Sequence, residues 1–138
     1  MKRILFLLYI VVMIFNSVTI ALHPNMLVRP FNVIVSLVFL VAWLGINVYL
    51  IFNEGFKWTG YQLIAIAITG VIIYVLESLN VFTNLSGVLF VLFHSPFYGL
   101  NIFDVSYRSF AFFIGLWASI DYLLTKYFVE KVGIVWKS

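Results

Sequence analysis

The chain has 138 residues, of which 64% are hydrophobic and 9% are charged, and its mean hydropathy is +1.14. Because soluble domains carry about 25% charged residues, this chain has too few polar groups to cover a water-soluble globule. Cysteine is absent, which excludes disulfides and thiolate-ligated metal centres, and the eight Lys and Arg form no basic cluster for nucleic acid. We predict an all-α membrane protein with a single polytopic domain over residues 1–138.

Four hydrophobic segments are long enough to cross the roughly 30 Å hydrocarbon core of a bilayer as helices. The first follows Lys2 and Arg3, as the apolar region of a signal peptide would, but it continues for about nineteen uncharged residues. Signal-peptide apolar regions are usually about 7–15 residues long, so this segment is interpreted as an uncleaved span. Asn16 is the side chain in it best suited to bond another helix. The four predicted spans are residues 4–22, 31–52, 61–82 and 107–128.

Two short turns separate the first three spans. The turn at residues 23–30 contains two prolines, and the turn at residues 53–60 is polar and contains two glycines. Trp58 and Tyr61 lie where an interfacial belt of aromatic side chains is expected. Both turns therefore support the boundaries of the predicted spans.

Residues 83–106 form the segment whose path is hardest to predict. Their composition is apolar enough to cross, but His94, Ser95 and Pro96 interrupt them in the middle. Proline removes a backbone donor and disfavours helical geometry in the residue before it. We predict a proline-broken hairpin that either dips into the bilayer as a re-entrant segment or lies on its surface. At depth, a broken backbone is tolerated only where protein or water covers it.

The distribution of Lys and Arg favours four spans with both termini inside the cell. If residues 83–106 do not cross, six basic residues lie inside and two, Arg29 and Arg108, lie outside. If they do cross, the distribution becomes four against four, which the positive-inside rule does not explain. The six inner residues of the four-span arrangement are Lys2, Arg3, Lys57, Lys126, Lys131 and Lys137.

Glu77, near the outer end of the third span, is the acid that most needs an explanation. An ionised carboxylate in hydrocarbon costs several kcal/mol unless it is paired or hydrated. One hypothesis pairs it with Arg108, or with Arg29 as the alternative, and gives it a structural role. The other leaves it free to bind a proton or a cation.

Asp121 and His94 are two further polar candidates within the apolar sequence. Asp121 lies nearer the inner face than Glu77, so the two acids are not expected to share a proton or a metal. We expect it to reach toward Lys57 or Lys126 at the inner interface. His94 is expected to hydrogen-bond the backbone broken by Pro96, and the chain provides no convincing set of metal ligands.

Small residues recur at four-residue spacing on the last span, at Ala111, Gly115 and Ser119. Such a pattern lets two helix backbones approach closely. It fits an internal helix contact and a homodimer equally well.

We expect a small bacterial plasma-membrane protein without a cofactor or catalytic activity of its own. Its predicted role is that of an accessory, immunity-like or interaction subunit. Its expected surroundings are the lipid bilayer and either another membrane protein or a second copy of itself, with no nucleic acid. The alternative is a proton- or cation-coupled transporter or channel protomer that uses Glu77. A third hypothesis is an intramembrane enzyme built on His94 and Glu77.

Overall fold

The computed structural model describes residues 1–22, 30–103 and 105–133, and all the regular structure in these ranges is helical. Arg29, most of the first turn and the last five residues, with Lys137, lie outside the described residues. Four helices of the described residues are long and apolar enough to span a membrane, and they begin at Lys2, Pro30, Lys57 and Tyr107. The elements are α1 (Lys2–Leu22), α2 (Pro30–Glu54), α3 (Lys57–Ser78), α4 (Thr83–Phe93), a 3₁₀ helix (Ser95–Leu100) and α5 (Tyr107–Val132).

The third helix lies four residues earlier in the chain than its predicted span. Between α2 and α3, Gly55 adopts a φ of 86°, so the predicted turn at residues 53–60 shortens to two residues. At the other end, Asn80 (φ 53°) and Phe82 (φ 50°) adopt the left-handed conformation, which is uncommon for residues other than glycine. The prediction failed at both ends because hydropathy does not report backbone conformation.

The helices form an antiparallel bundle with two distinct ends. At one end Lys2 of α1 forms an ion pair with Glu54 of α2. At the same end Phe56, just before α3, packs on Tyr122 of α5, with ring centroids 5.3 Å apart. We call this the basic end, since Arg3, Lys57 and Lys131 also lie there. The opposite end, where α1 and α3 finish and α4 and α5 begin, is called the hairpin end.

The segment between α3 and α5 enters the bundle from the hairpin end and returns to it. His94, after the last residue of α4, lies 3.2 Å from the Thr69 hydroxyl, near the middle of α3. Phe97 of the 3₁₀ helix is fully buried between α2 and α5, where its ring packs against Phe39, Trp43 and Trp117. Other helices therefore cover the hairpin, and its path relative to the bilayer stays a prediction.

The outward faces of the long helices are apolar. In α1 and α5 only 17% of the apolar stretch is buried, against 39% in α2 and in α3. Phe6, Val41 and Leu124 are each more than three-fifths exposed. Such a surface suits a hydrocarbon solvent.

Candidate functional site

A buried amide, Asn16 of α1, holds the tip of the hairpin in place. Its Nδ2 donates to the carbonyl of Ser95 at 2.7 Å and to the hydroxyl of Ser36 at 3.1 Å. Its Oδ1 accepts from Asn32 at 2.9 Å. All of these side chains are nearly or completely buried. The backbone carbonyl next to Pro96 is thus bonded by another helix, which is the condition for a broken helix to remain inside a bundle.

The 3₁₀ helix approaches α2 without room for a side chain at Gly99. A Cβ on Gly99 would overlap the backbone carbonyl of Asn32. The Gly99 amide donates to the Ser36 hydroxyl at 3.0 Å. Asn16, Ser36 and Gly99 together fix the returning arm of the hairpin on α1 and α2.

His94 does not make the contact expected from the sequence. Its Nε2 lies against Thr69 of α3, while Nδ1 has no hydrogen-bond partner among the described residues. Asn16, and not His94, bonds the backbone at Pro96. The ring of Phe90 stacks on the imidazole at 6.0 Å, and burial lowers the pKa of His94 to about 4. The imidazole is therefore neutral at pH 7.

Glu77 lies in the last turn of α3 and faces α4. Its carboxylate accepts a hydrogen bond from the buried Ser86 hydroxyl, and the Tyr107 side chain lies beside both groups. Within the described ranges no ion pair joins Glu77 to Arg108, so the predicted pair is wrong in this structure. Tyr107 and Arg108 point about 100° apart on their helix, and Tyr107 takes the position toward Glu77, leaving Arg108 exposed. The alternative partner, Arg29, is outside the described residues.

Asp121 is half-buried on α5, with the Thr125 hydroxyl as its partner at 3.3 Å. The predicted contact with Lys57 or Lys126 is not among the ion pairs of the described residues. Asp121 lies fourteen residues after Tyr107 in the sequence, or about 21 Å along the helix. Glu77 and Asp121 are therefore well separated, and His94 lies between their two levels.

The small residues of α5 meet α3 in the most extensive contact between helices of the described residues. Ala111 and Gly115 are buried against Gly70, and Ala118 continues the same face. Ser119 lies beside this face and its hydroxyl donates to the Gly115 carbonyl at 2.9 Å. The contact seen here is within one chain.

A second polar cluster, which was not predicted, joins α2 to α3 in the half of the bundle toward the basic end. The indole of Trp43 donates to Gln62 Oε1 at 3.0 Å. The Oδ1 of Asn47 accepts from both Thr59 and Gln62, at 2.8 and 3.0 Å. In the sequence, the three-residue spacing of Thr59 and Gln62 indicates that both lie on one face of a helix. It does not indicate which side chain of another helix they bond.

A cavity of about 330 Å³ lies next to this cluster, between α1, α2, α3 and the end of α4. Nearly all of its wall is apolar, and Lys2 and Trp58 lie at its mouth. The Lys2 ammonium is 5.4 Å from the centroid of the Trp58 ring, in addition to its ion pair with Glu54. The lining comprises Lys2, Leu5, Phe6, Tyr9, Trp43, Trp58, Tyr61, Gln62, Ala65, Ile66, Leu92 and Phe93.

No group of three or more metal-binding side chains occurs in the described part of the chain. Comparison with protein families, with curated proteins and with solved structures finds no match for this chain.

Proposed function

We propose that the protein is a multi-pass membrane subunit that acts through contacts with another membrane protein or a second copy of itself, without catalysis of its own. Three features support this proposal. The four long helices present apolar outward faces. The buried amides are used to hold the fold together. The ionisable groups that could do chemistry, Glu77, His94 and Asp121, lie at three separate levels.

The observation that carries the proposal is the position of Asp121. It lies about 21 Å along α5 from one end and about 16 Å from the other, with Thr125 as its bonded partner. A carboxylate at that depth in hydrocarbon is expensive unless a further donor or a basic group reaches it. Its own helix has few buried residues. A helix from another chain could supply a hydrogen-bond donor or a basic side chain to the Asp121 carboxylate. The same helix would bury the exposed face of α5.

The charge distribution supports an orientation for this subunit. Among the described residues, Lys and Arg collect at the basic end, and Arg108 is at the hairpin end. By the positive-inside rule, this distribution supports a cytoplasmic basic end with both termini on that side, and we propose the bacterial plasma membrane as its location.

Site-specific photo-crosslinking in membranes tests the interaction. A photoreactive residue at Leu124, which is 64% exposed on the side of α5 near Asp121, should give one discrete adduct. The matched control is Val41 of α2, which is 70% exposed and should give none. An adduct of about twice 15.9 kDa identifies a second copy, and any other mass identifies a different protein. Asp121→Leu should abolish the adduct; lipid-only labelling at Leu124 would contradict the proposal.

A proton- or cation-coupled transporter is the second candidate, and it is favoured because no basic side chain among the described residues pairs with Glu77. The carboxylate is half-buried and bonded by neutral groups, which leaves its charge available. Flux through protein-containing liposomes that depends on pH and is lost in Glu77→Gln would establish this alternative. An enzyme built on His94 and Glu77 has less support. Thr69, which contacts His94, is about 12 Å along α3 from Glu77.

A further inference from the structure

The cavity between α1 and α3 has the dimensions of half a bilayer. It begins at Lys2 and Trp58 at the basic end and extends to Tyr9 and Ile66. Ile66 follows Trp58 by eight positions, which correspond to about 12 Å of helix. One leaflet of a hydrocarbon core of about 30 Å is about 15 Å thick. Phe6 and Tyr61, which line the cavity, are more than half exposed, so the cavity opens sideways to the surrounding solvent or lipid.

Two polar side chains in the wall of this cavity, Tyr9 and Gln62, are already bonded within the protein. The Tyr9 hydroxyl donates to the carbonyl of Leu92 at 2.5 Å. Gln62 accepts from Trp43 and donates to Asn47. A water molecule needs two to four polar partners, and this wall offers few that are free. The cavity is therefore suited to an apolar occupant.

The end of the bundle at which the cavity opens is basic. Lys2 is neutralised by Glu54, but Arg3 and Lys57 are exposed at the same end. Trp58 and Tyr61 add the amphipathic rings that favour the boundary between lipid headgroups and hydrocarbon. An anionic group held near this rim would meet a net positive potential.

We infer that the cavity binds one acyl chain of an anionic membrane lipid from the leaflet at the basic end. The chain lies against Leu5, Ala65 and Ile66, and the headgroup stays near Arg3 and Lys57. This inference rests on the placement in a bilayer proposed above, but it does not require the protein partner of α5.

Fluorescence quenching by chain-brominated phospholipids tests the inference. A variant with Trp58, Trp117 and Trp136 replaced by Phe retains Trp43, which is 1% exposed and lines the cavity. Brominated chains should quench Trp43 only by entering the cavity. Half-maximal quenching should need about fivefold less brominated phosphatidylglycerol than brominated phosphatidylcholine. Replacing Arg3 and Lys57 by Gln should remove this preference but keep the quenching.

Two substitutions separate entry into the cavity from general lipid contact. Ala65→Phe fills the cavity and should abolish quenching of Trp43, whereas Ala21→Phe adds the same ring at an exposed position and should not. A reporter at the exposed Ile68 (Ile68→Trp with Trp43→Phe, in the same background) measures contact with lipid alone.

Three outcomes would overturn the inference. In the first, Trp43 stays unquenched while the reporter at position 68 is quenched. In the second, Trp43 is quenched as strongly in the Ala65→Phe variant as in its parent. Equal responses to the two lipids would overturn the anionic assignment. The wild-type chain provides a measurement that needs no variant. Native mass spectrometry after titration should show one phosphatidylglycerol retained per chain, and none retained would contradict the inference. None of these results depends on the crosslink at Leu124.

Discussion

Gly70 of α3 and Gly115 of α5 hold the two helix backbones in contact. A Cβ on Gly70 would lie 2.6 Å from the carbonyl oxygen of Ala111 and 3.0 Å from the Cα of Gly115. A Cβ on Gly115 would lie 3.2 Å from the carbonyl oxygen of Ala67. Since backbone atoms cannot turn aside as a flexible side chain can, any larger residue has to separate the helices.

Gly115→Leu should therefore lower the free energy of unfolding in detergent by about 1–3 kcal/mol, as overpacking does. The matched control is Gly45→Leu on α2, where no neighbouring atom lies within 4 Å of a built Cβ. That control should be neutral, or more stable by up to about 1 kcal/mol, because glycine is a poor helix former. Equal stability of the two variants would show that α3 and α5 are not in close contact.

The hairpin contains two glycines with opposite expected responses to alanine. Gly99→Ala introduces a Cβ that would overlap Asn32, so the 3₁₀ helix must move off α2 and give up the bond from its amide to Ser36. We expect a loss of about 1–3 kcal/mol in unfolding free energy. Gly87→Ala, in open space within α4, should gain about 0.5–1 kcal/mol. If the melting temperature of Gly99→Ala equals or exceeds that of the wild type, the 3₁₀ helix does not pack against α2 as described.

The four long helices could be predicted from the sequence because twenty or so apolar residues in a row are a local signal. The interruption at Pro96 was also local. The depth of the hairpin was not, since it depends on Asn16 and Ser36 of two earlier helices meeting Ser95 and Gly99. The sequence indicates that Asn16 can bond another helix, but its partner, the carbonyl of Ser95, lies 79 residues away.

The candidate polar groups show the same limit. The partner of Glu77 was predicted from matching levels in the membrane, which placed Arg108 close by. The direction of each side chain around its helix decided otherwise, and Tyr107 faces Glu77 instead. The distribution of charges predicts at which end of a helix a residue lies. It does not predict the direction of a side chain around the helix. For Glu77 that direction depends on where α3 ends, and hydropathy placed this end at the wrong residue.

His94 should make the stability of the protein depend on pH below neutrality. Burial lowers its pKa to about 4 from the ordinary 6.5, so between these values the unfolded chain binds a proton that the folded chain does not. The stabilisation is complete above pH 6.5 and is lost as the pH falls toward 4. We expect a loss of about 2 kcal/mol in unfolding free energy between pH 7 and pH 5 from this residue.

The contribution of His94 is measured as the difference between wild type and His94→Gln, because other groups titrate in the same range. The difference should shrink as the pH is lowered. Thr69→Val removes the hydroxyl next to Nε2 but leaves the imidazole buried, so it should keep the wild-type pH dependence. A pH dependence unchanged in His94→Gln would mean that the imidazole reaches water in the folded protein.

Glu77 and Ser86 should be energetically coupled, whereas Glu77 and Arg108 should not. The Ser86 hydroxyl is fully buried and donates to the Glu77 carboxylate. In a double-mutant cycle in detergent, Glu77→Leu and Ser86→Ala should show an interaction of about 0.5–3 kcal/mol in unfolding free energy.

The matched cycle of Glu77→Leu and Arg108→Leu should be additive to within about 0.5 kcal/mol, because Arg108 is exposed and forms no ion pair with the acid. Coupling between Glu77 and Arg108 would instead support the ion pair expected from the sequence. The carboxylate would then have a structural role. Additivity in both cycles, and in a third cycle with Tyr107→Phe, would leave Glu77 without a stabilising partner among the described residues of the hairpin end. An acid in a membrane helix without such a partner raises the free energy of the folded protein, and a bound proton or cation would offset this cost. The transporter candidate would then replace the interaction subunit.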